Sequence, residues 1–253
     1  MKTLKVSALV LPFFVLPLVA GSTYPPRVTI EVLSEQYRTS LIWQSDLQND
    51  GTGMSAPYLI ATLASGTAPL AAGLPNHPQL MTPTSHASNA NSGAIIRAVQ
   101  LVGLSIAGYE RHEFIFRPDR CTDVVGIYGF ADTVTVASAP VDGIYLSRTG
   151  CVFTGRARSN SVDVDTADTY TVTSGTWYRL VVQVDSTAAG ATFYIYSEGG
   201  IELWKRSVTS GVPVGVGRET AILDMVYLTS AGPAAALDTW DYVLTIIDRQ
   251  LIR

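Results

Sequence analysis

The sequence predicts an all-β protein, a two-sheet antiparallel β-sandwich with an extended N-terminal arm. Three observations predict it. Short runs alternate apolar and polar residues with a period of two, as in RVTIEV and TFYIY. Turn-forming stretches such as QNDGTG and SEGG separate those runs. No stretch carries a convincing apolar period of a surface helix, which leaves strands to build the core as a sandwich or jelly roll.

Taken in order, Pro25 and Pro26 break any helix, and Val28, Ile30 and Val32 then alternate with Thr29 and Glu31. Leu41 to Gln44 is a second strand, closed by QNDGTG. Residues 50–93 are rich in small residues, Pro, Thr, Ser and Asn, and read as loops around short strands such as Tyr58 to Leu63. A structureless loop of that length is out of place in a compact domain, so further strands are expected inside it. From residue 94 the strand pattern persists through EFIFR, VVGIYGF, TVTVA and GIYLS, with GLSIAGYE (residues 103–110) a short turn or helix between strands. In SGTWYRLVVQV, Leu180, Val182 and Val184 share one face, and Arg179 and Gln183 take the other. TFYIY runs into the hairpin signal SEGG and resumes as IELWKRSV. The last run, DTWDYVLTII, places Trp240, Tyr242, Leu244 and Ile246 on one face against Asp241 and Thr245. No repeat of fixed period is visible, which disfavours a propeller or solenoid.

Of the 253 residues, 47% are hydrophobic and 15% charged, enough to bury a sizeable core. A net charge of −4, three scattered lysines (Lys2, Lys5, Lys205) and no basic run remove the electrostatic footprint of nucleic-acid binding. Two cysteines, Cys121 and Cys151, are too few for a disulfide scaffold or a zinc site. They read either as one bridge between the strands they flank or as two reduced, buried thiols.

The chain opens MKTLKVSALVLPFFVLPLVAGS. Lys2 and Lys5, an uncharged run and small residues outline a secretory signal peptide over residues 1–21. The run falls short of the roughly 20 residues a membrane span needs, and Pro12 and Pro17 interrupt it, so no membrane span is expected. The alternative is an arm and linker over residues 1–33. It would hold Leu9, Leu11, Phe13, Phe14, Leu16 and Leu18 against a partner while the prolines keep the backbone extended. The sandwich domain then covers residues 34–253.

Eight segments stand in a telling order: LPNHPQLMTPTSHASNANSGAII, YERHEFIFRP, VVGIYGFADT, APVDGIYLS, SGTWYRLVVQVDS, ATFYIYSEGGIELW, VPVGVGRET and AAALDTWDYVLTI. This succession, over residues 35–247, resembles the concanavalin A-like (laminin-G-like) jelly-roll domains of tailed-bacteriophage and prophage structural proteins. The resemblance implies a non-enzymatic virion component: a capsid decoration, head fibre or tail appendage. Its partners would be other virion proteins, and it would form a homo-oligomer, with a trimer as the working expectation. Such proteins assemble without export, which favours the anchoring arm and a virion location over a cleaved signal and secretion. Some proteins of this broad fold bind glycans and others hydrolyse them. A glycan-binding module, either a receptor-binding appendage or a secreted lectin-like protein, is therefore the alternative function.

Hydrolysis needs two carboxylates across a scissile bond. The Glu-x-Asp-x-x-Glu string of jelly-roll glucanases is absent. The nearest substitutes are Glu198 and Glu202 on a turn, and Asp238 and Asp241, which face opposite sides of a strand; all four read as solvated turn and edge carboxylates. GLSIAG around Ser105 has one residue too many for a nucleophile elbow. Asp163, Asp165 and Asp168 supply closely spaced hard oxygens suited to calcium, although the EF-hand pattern fails; no other cofactor is implied. His77, His86 and His112 lack ligand spacing; His77 reads as a turn residue and His112 as a strand-edge residue. In TFYIY, Phe193 and Ile195 share one face and Tyr194 and Tyr196 the other, which makes that tyrosine pair the candidate contact for a host surface glycan.

Overall fold

The computed structural model describes residues 38–45, 58–98, 109–132, 136–214 and 221–250. The arm residues Leu9, Leu11, Phe13, Phe14, Leu16 and Leu18, the signal-peptide alternative and most of GLSIAGYE lie outside these described residues.

Every regular element among them is a strand. In chain order they are β1 (Arg38–Ser45), β2 (Tyr58–Leu63), β3 (Leu70–Leu74), β4 (His77–Met81), β5 (Ser92–Ala98) and β6 (Glu110–Pro118). There follow β7 (Val124–Ala131), β8 (Gly143–Thr149), β9 (Val152–Ser159), β10 (Val162–Asp165) and β11 (Tyr170–Thr171). The last are β12 (Tyr178–Val184), β13 (Ala191–Ser197), β14 (Glu202–Val208), β15 (Ala221–Leu228) and β16 (Asp238–Gln250). Two further strands, β3 and β4, thus occupy the small-residue region, as expected. The expected TVTVA strand does not form over its described part, since Val136 and Ala137 lie in a bend.

The strands form two antiparallel sheets. The first runs β14-β13-β12-β6-β16-β4-β3, with β1 also paired to β16. The second runs β10-β9-β8-β7-β15-β5-β2, with β11 paired to β9. This is the two-sheet sandwich the alternating pattern implies. The core between the sheets is aromatic: Phe114, Phe116, Tyr128, Phe130, Phe153, Phe193 and Trp240 are all fully buried. Phe114 meets Trp240 edge-on at 5.5 Å, and Phe116 meets Phe153 the same way at 5.7 Å, the geometry that aromatic quadrupoles favour.

Two polar links cross this core. Arg148 of β8 pairs with Asp238 of β16, and Asp238 also accepts bonds from the Tyr128 hydroxyl (2.6 Å) and the Trp240 indole (3.2 Å). His112 of β6 binds Asp224 of β15 at 2.9 Å through Nε2 and Thr245 of β16 at 2.9 Å through Nδ1. Two expectations are corrected here. His112 is 1% exposed, an interior residue and no strand-edge one, because β6 alternates without a break and its parity matches Phe114 and Phe116. Asp238 is fully buried and no solvated carboxylate, because Arg148 meets it from the facing sheet.

The final strand departs from simple alternation. The register of β16 against β6 shifts between Trp240 and Tyr242, leaving Asp241 as the extra residue of a β-bulge. Past it the faces exchange. Val243, Thr245 and Ile247 point into the core, while Tyr242, Leu244 and Ile246 are only half-buried. The expected single face of Trp240, Tyr242, Leu244 and Ile246 is therefore split by one residue.

Cys121 and Cys151 are joined by a disulfide with their Cα atoms 4.8 Å apart. Arg148 reaches the backbone carbonyls of Arg120 and Gly150, the residues just before each cysteine, so one guanidinium gathers both halves of the bridge.

Candidate ligand-binding face

The outer face of the first sheet is built from the half of each alternation that the core rejects. In β13, Phe193 and Ile195 are fully buried, which turns Tyr194 and Tyr196 outward, as the sequence implies. Their rings stack on each other with centroids 5.8 Å apart and planes 13° from parallel. Each ring also carries a cation from its cross-strand neighbour. Lys205 of β14 stands 5.2 Å from the centroid of Tyr194, and Arg179 of β12 stands 4.4 Å from that of Tyr196.

An ion-pair ladder continues the row. Arg111 donates to Glu113 at 2.7 Å and to Gln183 at 3.5 Å, and Arg179 lies 3.6 Å from the other Glu113 oxygen. Burial lowers the Arg111 pKa, but Glu113 more than reverses this, so the guanidinium stays charged. Partial burial raises the Tyr196 pKa, Glu202 adds to the rise and Arg179 opposes it, which keeps the phenol protonated and able to donate. Tyr242, carried outward by the bulge, stands in register with Ile115, and Ile115 with Arg179.

The end of this face holds a cluster that the sequence reading missed. His77, at the start of β4, is 5% exposed and stacks on Trp177 at 3.8 Å. Its Nδ1 lies 2.7 Å from Asp241, the bulge residue, and its Nε2 lies 3.4 Å from Glu198 in the β13–β14 turn. Arg117 covers the Trp177 ring at 5.4 Å and binds Asp119 at 2.9 Å. His77 is therefore a packed, bridging residue of the sheet end, a correction to its reading as a turn residue. Its partners lie 164 and 121 positions away, and no local signal joins them.

The calcium candidates Asp163, Asp165 and Asp168 each pair with arginine. Asp165 makes a two-pronged pair with Arg156 at 2.6 and 2.8 Å. Asp163 binds Arg158 and, at 3.1 Å, Arg156, while Asp168 binds Arg206 of the other sheet at 2.8 Å. Arginine from β9 thus holds Asp163 and Asp165, and arginine from β14 holds one oxygen of Asp168. Among the described residues no group of three His, Cys, Asp or Glu side chains is placed to hold a metal ion.

Chemically, this face presents phenol, guanidinium and ammonium donors, carboxylate acceptors, and ring edges. The family profile described as SO2946-like, C-terminal domain matches residues 81–238, more than half of the chain. The chain belongs to that family. Among solved structures, this family member is similar to SO2946 from Shewanella oneidensis MR-1, described as a protein of unknown function. The TM-score is 0.68 at 15% identity, over 93% of this chain and 99% of that one. It is also similar to the CBM2 module of the evolved Dit of Lactobacillus casei BL23 phage J-1 (TM-score 0.55, 10% identity, 85% and 99% covered). A third is winged bean acidic lectin complexed with methyl-α-D-galactose (TM-score 0.55, 9% identity, 83% and 100% covered). No curated protein matches. At these identities the comparisons establish the fold: a concanavalin A-like jelly-roll sandwich. Among the described residues no helix is long and apolar enough to cross a membrane.

Proposed function

We propose that this chain is a non-enzymatic glycan-binding jelly-roll module displayed on a phage particle. The observation that carries the binding role is the outward Tyr194–Tyr196 stack, flanked by Lys205 and Arg179. Stacked phenols beside fixed donors suit a polyhydroxylated ligand, which needs directed hydrogen bonds and an apolar surface for its C–H face. A binding role without hydrolysis fits the engagement of three of the face's carboxylates. Glu113 is held by Arg111 and Arg179, Asp119 by Arg117, and Asp241 by His77. None of these is the uncommitted acid that glycosidic cleavage requires.

The virion setting is supported by the ordered resemblance to phage structural proteins and by likeness to a module of a phage Dit. In this reading the N-terminal arm anchors the chain and the jelly roll faces outward.

Two experiments test the proposal. On a glycan array, the wild-type chain should bind a defined set of glycans, and Tyr194→Ala and Tyr196→Ala should each weaken binding by roughly tenfold with unchanged circular dichroism. Absence of binding, or binding indifferent to both substitutions, would overturn the assigned face. Mass spectrometry of particles purified from the source strain should find the chain with its Met1–Lys5 peptide, complete or lacking only Met1; a terminus near Ser22 would overturn the anchoring arm.

A further inference from the structure

The four path ends of the two sheets are not alike. At one flank, β14 exposes Glu202, Lys205 and Arg206, and β10 exposes Asp163 and Asp165. Charged edge strands of this kind discourage another strand from adding to the sheet. At the other flank the ends are β3 and β2, and neither contains a charged residue. They belong to a stretch, residues 51–96, with no Asp, Glu, Lys or Arg at all.

Among the described residues, β3 is the more exposed of these two ends. In β2, Ile60 and Ala61 are half-buried and Leu63 is buried. In β3 every residue but Ala71 is exposed, including Leu70 at 46% and Leu74 at 40%. Two exposed leucines on an uncharged edge are the opposite of the protection seen across the molecule.

The sequence of β3, LAAGL, is also nearly the same read in either direction. A two-fold axis through Ala72 sets Leu70 against the second copy's Leu74 and Ala71 against its Gly73. Antiparallel pairing about such an axis satisfies both edges at once, sets leucine against leucine and meets no charge. We propose that β3 is a homodimerisation edge, through which two copies join their first sheets into one continuous antiparallel sheet. Closed two-fold pairing uses one edge per copy, so the assembly stops at two. This departs from the trimer expected on grounds of virion symmetry.

Sedimentation equilibrium of the full chain tests the stoichiometry. The expected mass is twice the 27.1 kDa of one chain. Ala72→Lys places two ammonium groups across the axis and should weaken the dimer by at least about tenfold, with unchanged circular dichroism. Ala72→Cys should yield a disulfide crosslink between the substituted positions of the two copies, read by peptide mapping, whereas Leu70→Cys, facing a leucine, should not. A monomeric or trimeric wild-type chain, a dimer indifferent to Ala72→Lys, or a crosslink at position 70 instead of 72 would each overturn the proposal. A monomer that gains a strand only from another protein would do so as well.

Discussion

The Arg148 guanidinium and the Asp238 carboxylate meet between the two sheets with neither side chain exposed to solvent. Burial penalises both charges, so the pair persists only because each has other partners. Asp238 has Tyr128 and Trp240, and Arg148 has the carbonyls of Arg120 and Gly150. Burial alone would lower the Arg148 pKa, and Asp238 beside it drives it up instead. Replacing Asp238 by Ala strands a buried cation. Chemical denaturation should show a loss of about 3–5 kcal/mol, and a loss under about 1 kcal/mol would contradict the pairing.

The disulfide closes a separation of 30 residues. In the chain-entropy account a loop of that size contributes about 3–4 kcal/mol. The double variant Cys121→Ser/Cys151→Ser should melt well below the wild type. Reducing agent should lower the wild-type melting temperature and leave that of the variant unchanged.

Gly93 marks a close backbone approach. A Cβ there would lie 2.0 Å from the carbonyl oxygen of Val226, and one on Gly66 would lie 2.3 Å from the carbonyl oxygen of Gly93. Backbone cannot swing aside as a side chain can. Gly93→Ala should destabilise by about 1–3 kcal/mol or more, read as a shift in the urea midpoint at unchanged slope.

Two aspartates give pH dependences of opposite sign. Asp185 is partly desolvated, which raises its pKa, but bonds from Thr187 and Ala189 outweigh this and hold it below the usual 3.8. Its contribution is present above the unfolded value and is lost as pH falls through the folded one. Asp224 is raised by burial, with His112 pulling it partly back. The folded state therefore takes up this proton first, and acidification through its folded pKa adds stability. Asp185→Ala should flatten the acid limb of a stability–pH curve. Asp224→Asn should remove the opposing contribution and steepen the fall from neutral pH toward the unfolded value.

Where alternation is unbroken, the sequence was sufficient. The faces of β12 and β13, and the outward placement of Tyr194 and Tyr196, follow from residue parity alone. Parity also placed His112 with Phe114 and Phe116, and the polarity of its side chain obscured this signal. Its partners Asp224 and Thr245 lie 112 and 133 residues away, so no local pattern announces the link. The His77–Trp177–Asp241 cluster was illegible for the same reason, since topology brings it together. For the three calcium candidates, spacing reports which oxygens are near each other and says nothing of the arginines that β9 and β14 bring to them.

Asp241 works within β16 much as an inserted letter works within a reading frame. Upstream of it the strand delivers Asp238 and Trp240 to the interior, and downstream the same strand offers Tyr242 to the exterior. Deleting this one residue would restore the frame, setting Trp240 and Val243 two positions apart as in a regular strand. Val243, Thr245 and Ile247 would stay inward and Leu244 and Ile246 outward, Thr245 would keep its bond to His112, and the loss would fall on His77, left without its carboxylate.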